Sequence, residues 1–104
     1  MKLYQGRRER HTVIVTVDGA PLPPRLDLWN HSPTGYEWGY GGSGPAQLAL
    51  ALLADCLQDD AEAIGWHQEF KRAIVAGLPR QGWTLTSRQI EQALEQIRQT
   101  EESA

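Results

Sequence analysis

A helix-length run of apolar residues is the feature of this sequence that most constrains its fold. The run AQLALALLADCL, residues 46–57, is apolar on nearly every side of a helix, with Gln47 and Asp55 as its interruptions. A helix that is apolar all round is buried within a domain. Because a membrane span needs about 20 such residues, this shorter run predicts a central core helix. Gly44 and Pro45 suit its N-cap and first position, where proline lacks only an N–H that has no helical partner.

A cluster of glycines and aromatics, GYEWGYGGSG, stands directly before this helix in residues 35–44. A glycine-rich loop at a helix start can bind phosphate through its backbone N–H groups. This loop lacks the Lys-Ser/Thr pair of a P-loop, and no Lys or Arg lies between Arg25 and Lys71. We therefore interpret the cluster as a tight turn into the helix. Its turn and helix-start residues are Gly35, Gly39, Gly41, Gly42, Gly44 and Pro45. The alternative is a small-ligand or nucleotide site that uses this loop together with His31.

The first half of the chain has the patterns of β-strands. HTVIVTVD, residues 11–18, alternates valines with Thr and Ile, and Asp18-Gly19 ends the segment with residues typical of turns. Leu3-Tyr4 predicts a short partner strand, and APLPP, residues 20–24, predicts a connector or a sheet edge. LDLWN, residues 26–30, is a further candidate strand. The alternating aromatics of a last short strand are Tyr36, Trp38 and Tyr40.

The second half of the chain has the patterns of helices. Asp59-Asp60 suits the start of a second helix, because acidic side chains favour a helix N-terminus. Its apolar stripe includes Ala63, Trp66 and Phe70. Thr86 and Gln89 have the spacing of a capping box at the start of a third helix. Residues 83–85, between these two helices, favour a short extended segment.

Together these patterns predict one α+β domain over residues 1–104. We expect a small antiparallel sheet of three to four N-terminal strands packed by three helices, with the first helix buried. The strand-rich half covers residues 1–42 and the helical half covers residues 43–100. Residues 101–104 are expected to form a frayed tail.

Charge and composition argue against several classes of function. The net charge of −3 does not favour nucleic acid or an anionic membrane as a partner. Cys56 is the only cysteine, which excludes an intramolecular disulfide and a CxxC metal site. The N-terminal MKLYQGRRER has no apolar run behind its basic residues, so it does not have the pattern of a secretory signal. We expect a cytoplasmic location.

The segment WNHSPTG, residues 29–35, is dense in polar hydrogen-bonding groups. One interpretation makes His31 a general acid or base, oriented by Asp27 or Glu37. The interpretation we favour makes these side chains brace a tight turn by bonding to backbone groups. The residues that we predict to bind a partner or a ligand are Asn30, His31, Ser32, Tyr36, Trp38 and Tyr40.

Two further chemistries have weaker sequence support. The aromatics at positions 36, 38 and 40 have the spacing of a base-stacking face, but such faces carry interleaved basic residues, and Glu37 stands here instead. The basic cluster that nucleic-acid binding would use is Arg7, Arg8 and Arg10. No spacing typical of metal ligands connects His11, His31, His67 and Cys56. We therefore predict no metal and no cofactor, and we assign no catalytic residue.

The run WNHSPTGYEWGYGGSGPAQLALALLAD, with FKRAIV and GWTLTSRQIEQAL after it, resembles a small bacterial domain family of unknown function. Its members typically read N-H-S-P-T-G-F/Y-x-W-G-Y-G-G-S-G-P-A-Q-L-A-L-A, and the resemblance covers residues 2–97. Members look like short stand-alone proteins of plasmids, prophages or other mobile elements. The resemblance implies no catalytic residues. It implies a setting in which small proteins bind host machinery, as anti-CRISPR inhibitors of defence complexes do.

These observations leave three hypotheses about function. We expect a non-enzymatic protein-binding module of a bacterial mobile element that acts as an anti-CRISPR-like inhibitor of a host defence complex. The sequence does not decide between a monomer and a homodimer. The first alternative is a small-ligand or nucleotide binder that uses the glycine-rich loop and His31. The second alternative is a nucleic-acid binder that uses Arg7, Arg8 and Arg10. The aromatic residues and the Gln-rich third helix favour the protein-binding module over both alternatives.

Overall fold

The computed structural model describes residues 1–103 and has the α+β architecture that the sequence predicts. Ala104, the last residue of the expected frayed tail, lies outside the described residues. Within residues 1–103 the strands are β1 (Leu3–Glu9), β2 (Thr12–Val17), β3 (Ala20–Pro21) and β4 (Gly82–Thr86). The helices are α1 (Ser43–Leu57), α2 (Asp60–Ala73) and α3 (Ser87–Ser103), and one 3-10 turn, Val75–Gly77, follows α2.

The four strands form one antiparallel sheet in the order β3-β2-β1-β4. β1 and β2 form a hairpin in which Tyr4 pairs with Val17 and Glu9 pairs with Thr12. Its turn is tight, and Arg10 adopts a φ of 57° there. β4 comes from the second half of the chain and pairs along the other edge of β1. This long-range pairing joins the two halves that the sequence divides into strands and helices.

Helix α1 is the centre of the core. Residues 48–53 of this helix have no exposed surface, which confirms the prediction of a buried first helix. It packs against α2, and one apolar cluster joins it to Tyr4, Val15 and Phe70. The hydroxyl of Tyr4 donates to Asp55 Oδ1 at 2.6 Å, so β1 is also tied to α1 by a polar contact. Burial and this contact raise the pKa of Tyr4.

Two sequence predictions about local structure are wrong. Residues 26–30 and 36–40 are not strands, and the fourth strand comes from residues 82–86. The alternating aromatics are separate anchors: Trp38 is fully buried, while Tyr40 is 46% exposed. Gly39 also has a φ of 87°, which a strand does not accommodate. Helix α1 begins at Ser43 with Gly42 as its N-cap, earlier than predicted, and Pro45 still lies in the first turn.

The starts of the other two helices are confirmed. The Asp59 side chain accepts a hydrogen bond from the Glu62 N–H and caps α2. At α3, the Thr86 hydroxyl accepts from the Gln89 N–H at 3.1 Å, and the Gln89 side chain accepts from the Thr86 N–H at 2.8 Å. This reciprocal pair is the capping box. Among the described residues, none of the helices combines the length and apolar character that a bilayer span requires.

Candidate functional site

The polar loop before α1 is held in place by one buried side chain of that helix. Gln47 has no exposed surface, and its Oε1 accepts from the N–H groups of His31 at 2.8 Å and Ser32 at 3.2 Å. Its Nε2 donates to the Pro24 carbonyl at 2.6 Å. Gln47 thus satisfies three backbone groups of a segment that has no regular secondary structure. The interruption in the apolar run was the signal for this role.

The anchored loop places His31 beside His67 of α2. Their Nε2 atoms lie 2.9 Å apart. Trp29 stacks on His31, with ring centroids 5.1 Å apart and planes 7° apart, and also contacts the His67 ring. His67 is buried and His31 is half-buried, whereas Trp29 is 51% exposed. We call these three residues the histidine cluster.

The hydrogen bonds of the histidine cluster determine where its protons lie. His67 Nδ1 is 2.7 Å from the Ile64 carbonyl oxygen. A carbonyl can only accept, so His67 carries its hydrogen on Nδ1, and the neutral ring presents a lone pair on Nε2. His31 Nε2–H therefore donates to His67. Burial, followed by the nearby His67 and Lys71, lowers the pKa of His31.

Neither carboxylate that the sequence suggested as a partner for His31 is paired with it. Asp27 accepts hydrogen bonds from Arg25, which also contacts Asp60. Glu37 accepts two hydrogen bonds from Arg8, at 2.7 and 3.0 Å, and these lower the pKa of Glu37. His67, which lies 36 residues away in the sequence, is the partner that sequence reasoning missed.

The six predicted binding residues lie in three different environments. His31 belongs to the histidine cluster, and Asn30 beside it is exposed. Ser32, Tyr36 and Tyr40 line a polar pocket of about 520 Å³ at the start of α1, together with Thr34, Ser43 and Gly44. We call this cavity the α1 pocket. The Tyr36 hydroxyl donates to the Leu22 carbonyl, and burial raises the pKa of Tyr36.

Trp38 is a core anchor. It is fully buried, it packs edge-on against Trp83, and its Nε1–H donates to the Pro79 carbonyl at 2.9 Å. The guanidinium of Arg8 lies 4.6 Å from the centre of the Trp38 ring. The Arg8 Nε–H donates to the Arg80 carbonyl at 2.6 Å. Trp38 and Arg8 thus connect β1 to the segment after α2.

The other two residues of the predicted basic contact are exposed. Arg7 pairs with Glu9 through a 3.0 Å contact, and Arg10 lies in the turn of the β1–β2 hairpin. Since Arg8 is bonded to Glu37, the three arginines do not present their charges as one patch. Cys56 is also engaged within the fold: burial raises its pKa to about 11, and its Sγ donates to the Ser87 carbonyl.

The predicted turn glycines fall into distinct structural situations. Gly35 and Gly39 have φ values of 134° and 87°, in the region that favours glycine. Gly44 lies where a Cβ would come within 2.8 Å of the Glu37 Cβ, so its lack of a side chain permits close approach of loop and helix. Gly41 and Gly42 do not have positive φ. The cluster therefore combines turn formation with close packing at the helix start.

A second concave surface lies between the C-terminal end of α2 and the second half of α3. This α2–α3 groove has a volume of about 550 Å³. Its apolar residues are Ala73, Ile74, Ala93 and Ile97. Its polar and charged residues are Glu69, Arg72, Gln96, Thr100 and Glu101. Ala93 and Ile97 are both only partly buried.

Comparison with known proteins identifies a family. The family model of DUF6166, a family of unknown function, matches residues 4–96. The chain therefore belongs to DUF6166. No curated protein and no solved structure matches the chain.

Proposed function

We propose that this protein is a non-enzymatic protein-binding module whose binding surface is the α2–α3 groove. The observation that carries the proposal is the groove of about 550 Å³, which is lined by four apolar residues and five polar or charged residues. A groove of this kind between two helices suits the apolar face of an amphipathic helix from a partner protein. Protein interfaces likewise combine apolar contacts with polar residues at their edges.

Charge at the rim of the groove specifies the partner further. Glu69 and Glu101 contribute two negative charges, against one positive charge from Arg72. Arg72 and Glu69 are 4.0 Å apart, and the Arg72 side chain is 66% exposed, so their pairing is weak. We propose a partner helix with apolar residues at i, i+3 or i+4 spacing and a basic residue beside them. The resemblance to proteins of mobile elements favours a host defence complex as the source of that helix.

Two matched variants of α3 test this proposal. Gln96 lines the groove, whereas Gln92 is an exposed residue of the same helix and does not line it. Gln96→Arg adds bulk and a positive charge at the rim, so it should weaken capture of the partner from a lysate of the native host. Gln92→Arg makes the same change outside the groove and should leave capture intact. Equal capture by both variants, or no stoichiometric partner for the native sequence, contradicts the proposal.

A second candidate function is small-ligand binding in the α1 pocket. The observation that favours it is the polar lining of this cavity, with hydroxyl groups from Ser32, Thr34, Tyr40 and Ser43 beside the first turn of α1. No side chain caps that turn, and the first N–H groups of a helix have no partner within it. A thermal-shift series with nucleotides and inorganic phosphate tests this candidate. Stabilisation that Tyr40→Phe or Ser43→Ala reduces supports it, and an unchanged melting temperature throughout the series contradicts it.

Nucleic-acid binding through Arg7, Arg8 and Arg10 has less support. Arg8 is bonded to Glu37 and lies against Trp38, so its charge is already paired. A binding titration with DNA and RNA at low and high salt measures this directly, because phosphate contacts make affinity salt-dependent.

A further inference from the structure

The histidine cluster contains two imidazole nitrogens that face each other, one on buried His67 and one on half-buried His31. The Nε2 atoms of His31 and His67 are 2.9 Å apart. Two nitrogens that bind one metal ion at about 2.0–2.1 Å lie about 2.9–3.4 Å apart for angles between 90° and tetrahedral. The observed separation is at the lower end of this range. An ion bound between the rings would take the place of the hydrogen bond from His31 to His67.

The hydrogen bond from His67 to the backbone prepares this residue to act as a metal ligand. Its Nδ1–H donates to the Ile64 carbonyl at 2.7 Å. Metal-bound histidines commonly donate their second ring N–H to a carbonyl in this way, which fixes the tautomer and the ring orientation. The Nε2 lone pair of His67 consequently points out of α2 toward His31.

The other ring is positioned as well and remains accessible. The backbone N–H of His31 is fixed by Gln47, and its ring stacks on Trp29 at an angle of 7°. His31 is half-buried, so part of this residue contacts solvent.

We propose that His31 and His67 form a binding site for a divalent transition-metal ion of the kind that imidazole favours, such as Zn²⁺. Within residues 1–103 no third histidine, cysteine, aspartate or glutamate completes a ligand cluster. Water occupies the other coordination positions, which leaves them exchangeable. On binding, the His31 hydrogen moves from Nε2 to Nδ1 through solvent, so a neutral pair takes up the ion with no net proton release.

One positive charge near the site opposes binding and offers a test. Lys71 lies one helical turn after His67 and, after burial and His67, contributes to the lowered pKa of His31. Asp27, in the loop before His31, and Asp60, at the start of α2, are both paired with Arg25. Lys71→Gln should therefore tighten metal binding, because it removes a like charge without removing a ligand.

Calorimetric titration of the untagged protein with ZnCl₂ at pH 7.5 tests the site. We expect one saturable site per chain, with an apparent Kd that His31→Gln weakens at least about tenfold. The matched control is His11→Gln, which alters an exposed histidine of the hairpin turn and should leave the Kd within about twofold. Lowering the pH to about 5.5 should also weaken binding, because the ligands must be unprotonated.

Ring-nitrogen NMR of the native sequence keeps the test decisive if His31→Gln fails to fold. We expect the Nε2 signals of His31 and His67 to shift together during the ZnCl₂ titration, while His11 stays unchanged. Three results would overturn the proposal: no saturable binding up to about 1 mM, an unchanged Kd in a folded His31→Gln variant, or shifts confined to His11.

Discussion

Replacing Gln47 with leucine should destabilise the protein strongly, although leucine suits a buried helix better than glutamine does. The substitution removes all three hydrogen bonds of this side chain: those accepted from His31 and Ser32 and the one donated to Pro24. A typical hydrogen bond contributes about 0.5–1.5 kcal/mol, and a buried group left without a partner costs about 1–3 kcal/mol. His31 and Ser32 are half-buried, so water can replace part of the loss. We expect the free energy of unfolding to fall by about 2–4 kcal/mol.

Urea unfolding followed by tryptophan emission measures this change. The matched control is Gln92→Leu, the same substitution at an exposed helical position, which should change the free energy of unfolding by less than about 0.5 kcal/mol. Amide hydrogen exchange gives an independent readout, because the N–H groups of His31 and Ser32 should exchange faster in Gln47→Leu. A loss below about 1 kcal/mol with unchanged exchange at both amides would refute the assignment of Gln47 as the loop anchor.

Three further perturbations have defined outcomes in the same urea assay. Gly44→Ala puts a Cβ 2.8 Å from the Glu37 Cβ and should lower the free energy of unfolding by more than about 1 kcal/mol. Gly41→Ala, whose new Cβ meets no atom within 4 Å, should lower it by less. Equal losses in the two variants would contradict the close approach of Gly44 to Glu37. Folding lowers the pKa of His31 from its ordinary 6.5, so the unfolded chain takes up this proton at a higher pH than the folded chain does. The free energy of unfolding should therefore be undiminished above pH 6.5 and should fall as the pH drops below 6.5. With EDTA present, His31→Gln should flatten this decline, and an unchanged pH profile refutes the expectation. Arg8→Lys removes the bidentate hydrogen bonds to Glu37 and the guanidinium contact with the Trp38 ring, and should lower the free energy of unfolding by about 1–2 kcal/mol. Arg7→Lys should lower it by less than about 0.5 kcal/mol. A larger loss for Arg7→Lys than for Arg8→Lys would contradict the structural role of Arg8.

Features encoded in a few neighbouring residues were predictable from the sequence. The capping box of Thr86 and Gln89 and the Asp59 cap depend on residues three positions apart, and such short-range patterns keep their meaning in the folded chain. The buried α1 was also predictable, because a helix that is apolar on all sides must be surrounded by other parts of the fold to keep its surface from water. The α+β class followed from these elements and the β1–β2 hairpin.

Features that depend on long-range contacts were not predictable. The alternating Tyr36, Trp38 and Tyr40 suggested a strand, but a period of two cannot distinguish a strand from anchors in an irregular loop. Here Trp38 enters the core, and its N–H bonds to backbone carbonyls that follow α2. The contact of His31 with His67 likewise depends on how the loop crosses α2. Its spacing of 36 residues matches no local motif.

The glycine cluster combines a short-range feature that the sequence predicts with a long-range contact that it does not. The sequence indicated a turn into a helix, and the positive φ values of Gly35 and Gly39 agree with a turn. The first helical residue is nevertheless Ser43, with Gly42 as the N-cap. Gly44 therefore lies inside the helix, where its lack of a side chain permits close approach to Glu37.

Site-specific photo-crosslinking in the native host tests the central claim most directly. A photoreactive amino acid at position 96 lies on the α2–α3 groove. The same amino acid at position 91, an exposed position that does not line the groove, lies on a different face of α3. A protein-binding module that uses this groove should give one dominant crosslinked protein from position 96 and little from position 91, with the crosslink mapping to an amphipathic helix of the partner. Equal crosslinking from both positions, or none from position 96, would contradict the account.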